Sequence, residues 1–301
     1  MTVYNQISEN KVKTFFIMFL FILIFSSFFF LLGKYFDSPW GYFFLGLFIS
    51  LASSVGSYFY GDKLVLLTTG AQPANKKQFF NFYTVTENLT LAAGLPMPNL
   101  YVINDPSPNA FATGRDPKHA VVCVTTGLLQ IMDRTELEGV IAHELSHVKN
   151  YDILLASIVA VLVGTLAIIS DWVIRSMWWG RGSDNNERSN RNPIFLVLFI
   201  ISLILTPIIA AIIQLAISRR REYLADASAV LLTRYPEGLV RALKKLNNNP
   251  QPLRRVASST AHLFIANPFK KKNSSWFVGL FIGLFSTHPP IENRIRILES
   301  M

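Results

Sequence analysis

The chain has 301 residues, of which 51% are hydrophobic and only 16% are charged, and its formal net charge is +9 at pH 7. This composition excludes an ordinary soluble domain. No nucleic-acid-binding motif accompanies the positive charge, which a basic rim beside anionic lipid explains more simply, so we exclude nucleic acid as a partner and expect a lipid bilayer.

Four apolar runs are long enough to cross a bilayer core of ~30 Å as helices. They predict membrane spans at about 14–33, 39–60, 153–174 and 193–217. The first run exceeds the apolar segment of a secretion signal, and no small-residue cleavage site follows it, so we expect it to stay as an anchor. The predicted organisation is therefore a membrane hairpin at 1–60, a polar stretch at 61–152, a second hairpin at 153–217 and a second polar stretch at 218–301.

The distribution of basic residues predicts the side of the membrane on which the polar stretches lie. Residues 61–152 and 218–301 hold 7 and 14 of the 28 Lys and Arg, whereas the loop at 175–192 holds four. Because cytoplasmic segments carry an excess of Lys and Arg, both polar stretches are predicted to be cytoplasmic and to build one domain.

The chain contains one cysteine, Cys123, in the β-branched run AVVCVTTG. This run predicts a strand. A single cysteine cannot form an intramolecular disulfide, and no histidine stands at a spacing typical of a Cys nucleophile. A small buried residue is therefore the favoured interpretation of Cys123.

The stretch VIAHELSHVKNYD at 140–152 carries two of the five histidines, and the residues before it predict a helix that begins with a capping box of Thr135 and Glu138. His143 and His147 are one turn apart on one helix face, so both imidazoles can bind one metal ion. Glu144 is rotated by about 100° from His143, which lets it reach the hydrolytic water rather than the metal. The alternative is a helix that carries two surface histidines by chance.

A catalytic zinc site needs a third protein ligand. The stretch SRRREYLADASAVLL places Glu222 and Asp226 four residues apart on a second predicted helix. Taken alone, this pair is more typical of a solvated helix face, but beside HExxH it indicates metal ligation. Two predicted crossings separate Glu222 from His143 along the chain, so both residues return to the same side of the membrane.

The motifs HELSH at 143–147 and EYLAD at 222–226, placed around a pair of membrane helices, resemble those of the HtpX-type membrane zinc metalloproteases, which are related to the CAAX prenyl proteases. The resemblance implies that His143, His147 and Glu222 bind one Zn²⁺, that Asp226 orients a ligand histidine, and that the enzyme lies in a bacterial inner membrane. It also implies quality control of misfolded membrane proteins, which are the expected substrates.

Two further stretches are similar to that family's pattern. Asn109, Ala110 and Phe111 in PSPNAFATG match a strand at the edge of the active site, and exposed amides of such a strand can bind an extended peptide substrate. A plain hairpin is the alternative. In STHPPIENRI, Arg294 matches an element that supports the site, and His288 could stabilise the oxyanion, cover the zinc or simply pack.

The predicted fold class is a mainly α membrane protein with four transmembrane helices and a cytoplasmic α+β zincin-like catalytic domain with a small sheet. The predicted function is zinc-dependent endopeptidase activity at the cytoplasmic membrane surface, with Glu144 as general base and His288 as a candidate catalytic residue. A site-2-type intramembrane protease, a CAAX-type prenyl protease and a non-enzymatic four-helix channel or binding protein are the alternatives. A homo-oligomer is possible.

The apolar segment at 276–285 is too short to span a bilayer and follows three lysines at 270–272. It is predicted to pack in the domain core or, favoured by the basic run, to enter the membrane interface.

Overall fold

The computed structural model describes residues 3–35, 37–179, 219–257, 259–269 and 289–301. Within these ranges the chain is mostly helical and carries one small mixed sheet. Four features of the sequence analysis lie wholly or mostly outside the described residues. They are the predicted fourth span at 193–217, most of the loop at 175–192, the segment at 276–285 and His288.

Three helices of the described chain are long and apolar enough to cross a membrane. They are α1 (Val3–Tyr35), α2 (Pro39–Thr69) and α6 (Asp152–Trp179). Their apolar spans cover Ile7–Lys34, Pro39–Thr69 and Asp152–Ile169, and they contain the predicted spans at 14–33 and 39–60 and most of the third. Many of their large apolar side chains are exposed, as expected for a surface that contacts lipid; among them are Phe15, Phe19, Leu23, Phe44 and Phe48.

The helix α1 has 33 residues, which corresponds to about 50 Å of helix at 1.5 Å per residue and exceeds the ~30 Å of a bilayer core. It therefore begins well before the charge-free run that starts at Thr14. Ile17, Phe21 and Phe25 of α1 pack at four-residue spacing against a leucine- and valine-rich face of α6. Both helices begin beside the same domain and run in the same direction away from it.

The remaining helices and the sheet build the polar part of the chain. The helices are α3 (Phe80–Ala93), α4 (Thr126–Ile131), α5 (Arg134–Lys149), α7 (Arg219–Thr233), α8 (Pro236–Asn248) and α9 (Ile291–Glu299). The strands are β1 (Gln72–Pro73), β2 (Asn99–Ile103), β3 (Ala110–Gly114) and β4 (Ala120–Thr125). Their order in the sheet is β1-β2-β4-β3, with β2 parallel to β4 and the other pairs antiparallel.

The helix α5 lies at the centre of this domain. Its buried residues Leu137, Val140, Ile141 and Leu145 join one apolar cluster with side chains from the sheet and from the helices around it. On its far side α5 approaches α8 so closely that a Cβ on Gly139 would lie 2.7 Å from the amide nitrogen of Leu239. Each element around α5 thus fixes its position and its rotation.

The predicted capping box at Thr135 and Glu138 is wrong by two residues. The N-cap is Asp133, whose Oδ1 accepts a hydrogen bond from the Glu136 amide at 2.9 Å, while Glu136 Oε2 accepts one from the Asp133 amide at 2.8 Å. The helix begins at Arg134, so Thr135 already lies inside its first turn and Glu138 pairs with Arg134 instead. The spacing of three residues is the same in both pairs, and Asp133 is the one that precedes the first helical residue.

Candidate metal centre and active site

The two histidines of α5 point their Nε2 atoms at a common position. These two atoms are 3.2 Å apart. Glu222 on α7 lies beside both, with its Oε2 atom 3.7 Å from His143 Nε2 and its Oε1 atom 3.5 Å from His147 Nε2. One ligand atom from each of the three residues falls within 4.8 Å of the others. Two neighbouring helices thus bring Glu222 to the pair of histidines, although it lies 75 residues after His147 in the chain.

The donor set fits zinc. With zinc–nitrogen distances of about 2.0–2.1 Å and tetrahedral angles, two ligand atoms should lie about 3.3 Å apart. The two imidazole Nε2 atoms are 3.2 Å apart, close to that value. Each of them lies slightly farther from a different oxygen of Glu222, at 3.7 Å from Oε2 for His143 and at 3.5 Å from Oε1 for His147. Two imidazoles and one carboxylate are also the donor types of a catalytic zinc, with a fourth position left for water or substrate.

Each imidazole is held by a carboxylate at its other nitrogen. His143 Nδ1 lies 2.9 Å from Oδ1 of Asp226, and His147 Nδ1 lies 2.9 Å from Oδ2 of Asp152. Such a bond fixes the tautomer, because the proton stays on Nδ1 and leaves the lone pair of Nε2 for the metal. Asp226 was predicted for this position, but Asp152 was not.

Asp226 is 1% exposed and forms a two-pronged ion pair with the fully buried Arg294 of α9. Arg294 Nε donates to Asp226 Oδ2 at 2.8 Å, and Arg294 Nη2 donates to Asp226 Oδ1 at 2.6 Å. Arg294 Nη1 also lies 3.6 Å from Glu222 Oε2. Burial acts to raise the pKa of Asp226, but the charge of Arg294 and the hydrogen bonds from His143 and Arg294 together outweigh it and lower that pKa to about 2.

The electrostatic surroundings of the two histidines differ. Burial lowers the pKa of His143, and the charge of Arg294 lowers it further, so its neutral form is favoured. Burial also acts to lower the pKa of His147, but the hydrogen bond to Asp152 and the charge of Glu222 outweigh it and raise that pKa to about 9. Metal binding at His147 should therefore compete with protonation more strongly than at His143.

Glu144 is buried, with 2% of its surface exposed, and its charge acts on both His147 and Arg294. It lies on α5 directly after His143, so its side chain leaves the helix in a different direction from the ligand imidazoles. The site therefore brings a carboxylate that is not one of the three clustered ligands close to the metal position.

The strand β3, which contains Ala110 and Phe111 and directly follows Asn109, lies at one edge of the sheet, as predicted, but these residues are not exposed. All five residues of β3 are buried, and the Ala110 carbonyl accepts a hydrogen bond from the Ile265 amide at 3.0 Å. The Asn109 side chain exchanges two hydrogen bonds with the main chain of Ala266, at 2.9 and 3.2 Å. The segment at 264–266 therefore covers part of the edge whose amides we expected to be exposed.

The two side-chain directions of β3 have different surroundings. Phe111 is fully buried and stacks edge-on against Phe264 at 5.0 Å between ring centroids. Ala110 and Ala112 belong to the apolar cluster that includes the inner face of α5. The small side chains thus set the distance between the strand and the HExxH helix, whereas the aromatic one holds the covering segment.

Cys123 lies in β4 and is fully buried, and burial raises the pKa of its thiol. A thiol with a raised pKa is a poor nucleophile at neutral pH. This agrees with its predicted role as a small packing residue.

A backbone feature explains how the unpredicted Asp152 reaches His147. The helix α5 ends at Lys149, and Tyr151 adopts the left-handed conformation with φ of 60°, so that α6 begins immediately at Asp152. A non-glycine residue with this conformation ends a helix sharply. The turn carries Asp152 back beside His147, which lies five residues earlier in the chain. The only sequence signal for this turn was the interruption NYD between two helical patterns.

The comparisons with known proteins agree with this geometry. The model of peptidase family M48 matches residues 77–301, which include both halves of the metal centre. The chain belongs to peptidase family M48. Members of this family are zinc metallopeptidases, so the chain is a membrane zinc protease and its cofactor is zinc.

Relatives match the chain over its whole length. The protease HtpX homologue of Caldanaerobacter subterraneus subsp. tengcongensis is 46% identical, over 100% of this chain and 98% of that protein. The protease HtpX homologue of Tropheryma whipplei is 46% identical over 99% of this chain and 98% of its own length, and that of Lactobacillus helveticus is 43% identical over 99% of each. The predicted resemblance to the HtpX-type metalloproteases is confirmed.

A solved structure shares the fold. The crystal structure of S. mikatae Ste24p superposes with a TM-score of 0.51 at 19% sequence identity and covers 94% of this chain. The chain spans 62% of the length of that protein.

Because the chain belongs to a peptidase family, the non-enzymatic channel or binding protein that the sequence left open is excluded.

Proposed function

We propose that this enzyme is an endopeptidase that cleaves membrane proteins at the cytoplasmic surface of the bacterial inner membrane, with His143, His147 and Glu222 as the zinc ligands. The observation that carries the proposal is that one donor atom from each of these three residues lies within 4.8 Å of the other two. Two imidazoles and a carboxylate are the donor types of a catalytic zinc. A carboxylate support behind each histidine strengthens it.

In this proposal Glu144 is the general base. A bound zinc supplies polarisation of the scissile carbonyl and acidification of water. Glu144 accepts the proton of the attacking water and delivers a proton to the leaving amine. Its burial strengthens both steps, because the water-poor surroundings increase the effect of a nearby charge.

Asp226 and Arg294 act behind the ligands. Asp226 keeps the Nδ1 proton on His143, and Arg294 compensates the charge of Asp226 in the interior. Without Arg294, Asp226 would take up a proton more easily and could then donate it to Nδ1 of His143. His143 would favour the tautomer with its proton on Nε2, which weakens Nε2 as a metal ligand.

We assign substrate binding to the strand around Asn109, Ala110 and Phe111, through its main chain. The Asn109 and Phe111 side chains hold the segment at 264–266, so they shape this edge rather than contact substrate directly. An extended peptide can add to the part of the edge that the segment leaves available. His288 stays a candidate for stabilising the oxyanion.

The HExxH helix favours cleavage at the membrane surface over an intramembrane mechanism. Among the described helices α5 is not a candidate span, and its N-cap Asp133 and first residue Arg134 are exposed. A substrate segment that has left the bilayer is therefore the form that can reach the metal.

The predicted homo-oligomer and the predicted division of the chain into four segments stay predictions.

The decisive experiment replaces Glu144 by Gln in the full-length protein in detergent. This change removes the base and keeps both imidazoles and Glu222, so zinc content should persist while peptide hydrolysis falls by at least ~10²-fold. Zinc is measured by mass spectrometry of the purified protein, and hydrolysis by a quenched fluorescent peptide. Unchanged hydrolysis would exclude Glu144 as the base.

A matched variant tests the ligand set. Glu222→Ala leaves two histidines, too few for a catalytic zinc site, so both zinc and activity should be lost. The control is Glu237→Ala on α8, another acidic residue in the first turn of a helix, which should retain both. Full zinc binding by Glu222→Ala would overturn the assignment of the third ligand.

The orientation in the membrane is tested with single cysteines, because the native Cys123 is buried and should react slowly. Lys76→Cys on the domain and Ser38→Cys between α1 and α2 both lie at exposed positions. In intact cells a membrane-impermeant maleimide should label position 38 and not position 76. The opposite result would place the domain outside the cytoplasm.

A further inference from the structure

The side chain of Asn10, near the start of the first membrane helix, reaches the metal centre. Asn10 Nδ2 donates to Asp152 Oδ1 at 2.7 Å and to the carbonyl of Asn150 at 2.9 Å. Asp152 Oδ2, the other oxygen of the same carboxylate, lies 2.9 Å from Nδ1 of His147. One carboxylate thus connects α1 to a candidate zinc ligand.

Arg221 closes this network from a third side. Its Nη1 atom lies 3.4 Å from Asp152 Oδ1 and 3.3 Å from Asn10 Oδ1. Arg221 directly precedes Glu222 on α7, so the helix that supplies the third ligand also supplies the cation beside Asp152. The four groups come from α1, α5, α6 and α7, and they meet at the edge of the metal site.

The burial of Asn10 shows that this contact is specific. Asn10 is 4% exposed although it lies in the polar first turns of α1, where Glu9, Lys11 and Lys13 at neighbouring positions are in contact with solvent. A buried side-chain amide is stabilised only when its donors and acceptor have partners. Here both amide hydrogens are used on the loop and the helix start that carry Asp152.

A carboxylate that accepts one bond from an imidazole and another from a fixed amide has less freedom to rotate. The Asn10 amide therefore orients Asp152, and Asp152 in turn orients the ring of His147 toward the metal position. Asp152 is also the first residue of α6, where the helix dipole favours its negative charge.

We propose that Asn10 is a positioning residue for the zinc site, acting through Asp152 on His147, and that the start of the first membrane helix is thereby part of the catalytic centre. The proposal rests on the proposed function, since it takes His147 as a zinc ligand. It assigns α1 a role in metal affinity in addition to that of an anchor.

The test measures zinc affinity by competition with a chromogenic chelator, in the full-length protein carrying Glu144→Gln to prevent self-cleavage. Asp152→Asn should weaken zinc binding by ~10- to 100-fold, the scale for groups that hold a ligand histidine. Asn10→Leu removes both donors and should weaken it by ~3- to 10-fold, because its effect passes through Asp152. The Co²⁺-substituted protein should show a shifted visible absorption spectrum in both variants.

A second variant covers the case in which Asn10→Leu fails to fold. Asn10→Asp preserves the shape and the acceptor that faces Arg221, but it replaces the donor to Asp152 by a carboxylate, so zinc affinity should fall at least as far as in Asn10→Leu. The double variant Asn10→Leu with Asp152→Asn should be no weaker than Asp152→Asn alone, since the two residues act in one chain of contacts.

The matched control is Thr14→Val, one turn further along α1. Thr14 is fully buried, and its hydroxyl donates only to the main-chain carbonyl of Asn10 within its own helix, at 2.8 Å. Zinc affinity should stay within about twofold of the parent protein, because no contact with Asp152 is changed. A loss equal to that of Asn10→Leu would assign the effect to helix packing and overturn the proposal.

Failure of this inference differs from failure of the proposed function. If His147→Ala keeps full zinc affinity, the ligand assignment is wrong. If His147→Ala loses zinc while Asn10→Leu and Asn10→Asp both bind it as the parent does, the ligand assignment stands and the positioning role of Asn10 is refuted.

Discussion

The two ligand histidines are held by supports of the same chemistry in different surroundings. Behind His143, Asp226 and Arg294 are almost completely buried in the domain interior. Behind His147, Asp152 and Arg221 keep 10% and 16% of their side chains exposed and lie where a membrane helix begins. We call these the interior support and the rim support.

The difference indicates a division of roles. A buried charge pair must be matched, because removing one partner leaves an uncompensated charge in the interior, so the interior support should govern folding stability. At the rim, the charged pair is less buried, so loss of a partner should cost less stability than in the interior and should act mainly on the orientation of one ligand.

The largest expected effect follows from removing the buried cation. Arg294→Met leaves Asp226 without a counter-ion and should lower the free energy of unfolding by about 3–5 kcal/mol. Urea unfolding in detergent, followed by tryptophan fluorescence, measures it. Arg221→Met at the rim should lower the same quantity by a smaller amount, because Arg221 and Asp152 are less buried than Arg294 and Asp226. Equal losses in the two variants would remove the distinction between the supports.

A smaller effect is expected when the interior carboxylate is made neutral but keeps its shape. Asp226→Asn weakens the hold on His143 Nδ1 and should reduce zinc affinity by ~10- to 100-fold. Added zinc should then restore part of the peptide hydrolysis, which it cannot do in Glu222→Ala. Zinc titration of both variants, with hydrolysis as the readout, separates a supporting carboxylate from a ligand. Complete insensitivity to zinc in Asp226→Asn would contradict this role.

The smallest effect concerns the start of α5, which carries both histidines and should influence the two supports equally. Asp133→Ala removes the N-cap and should cost about 1 kcal/mol of stability. Zinc affinity should not change, because neither support contacts the cap. A selective loss of zinc would mean that the first turn of α5 positions the ligands.

The stabilisation that the Asp133 cap provides should depend on pH. Hydrogen bonds from the Glu136 amide and the Thr135 hydroxyl lower the pKa of Asp133 below its ordinary value. Because the folded pKa is below the unfolded one, the stabilisation is present above about pH 4 and is lost as the pH falls through the folded pKa. The stability difference between Asp133→Ala and the parent should therefore shrink in acid, which thermal unfolding at several pH values checks.

The sequence predicted the parts of the site that depend on short spacing. His143 and His147 belong to one helical turn, and Glu222 and Asp226 to another, so periodicity placed each pair on one face before any tertiary contact was known. The three membrane spans within the described residues were predictable for the same reason, since length and apolar content decide them locally. The start of α1 was not, because its polar first turns contain no membrane signal.

The rim support could not be predicted from spacing. The contact between Asn10 and Asp152 joins residues 142 positions apart, and the position of Asp152 depends on the left-handed conformation of Tyr151, a residue type that rarely adopts it. Arg294 was found only by family resemblance, since an isolated arginine in a short amphipathic helix usually lies at the surface. The covering of β3 by Ile265 likewise depends on a distant loop.

The position of Arg294 along the chain sets the order in which the enzyme can mature. This guanidinium comes 68 residues after Asp226, whose charge it compensates. When the ribosome has already made both histidines and Glu222, the core around Asp226 still lacks its cation and cannot close favourably. The metal centre is therefore expected to form only once α9 has joined α5 and α7, although all three proposed ligands come earlier in the chain.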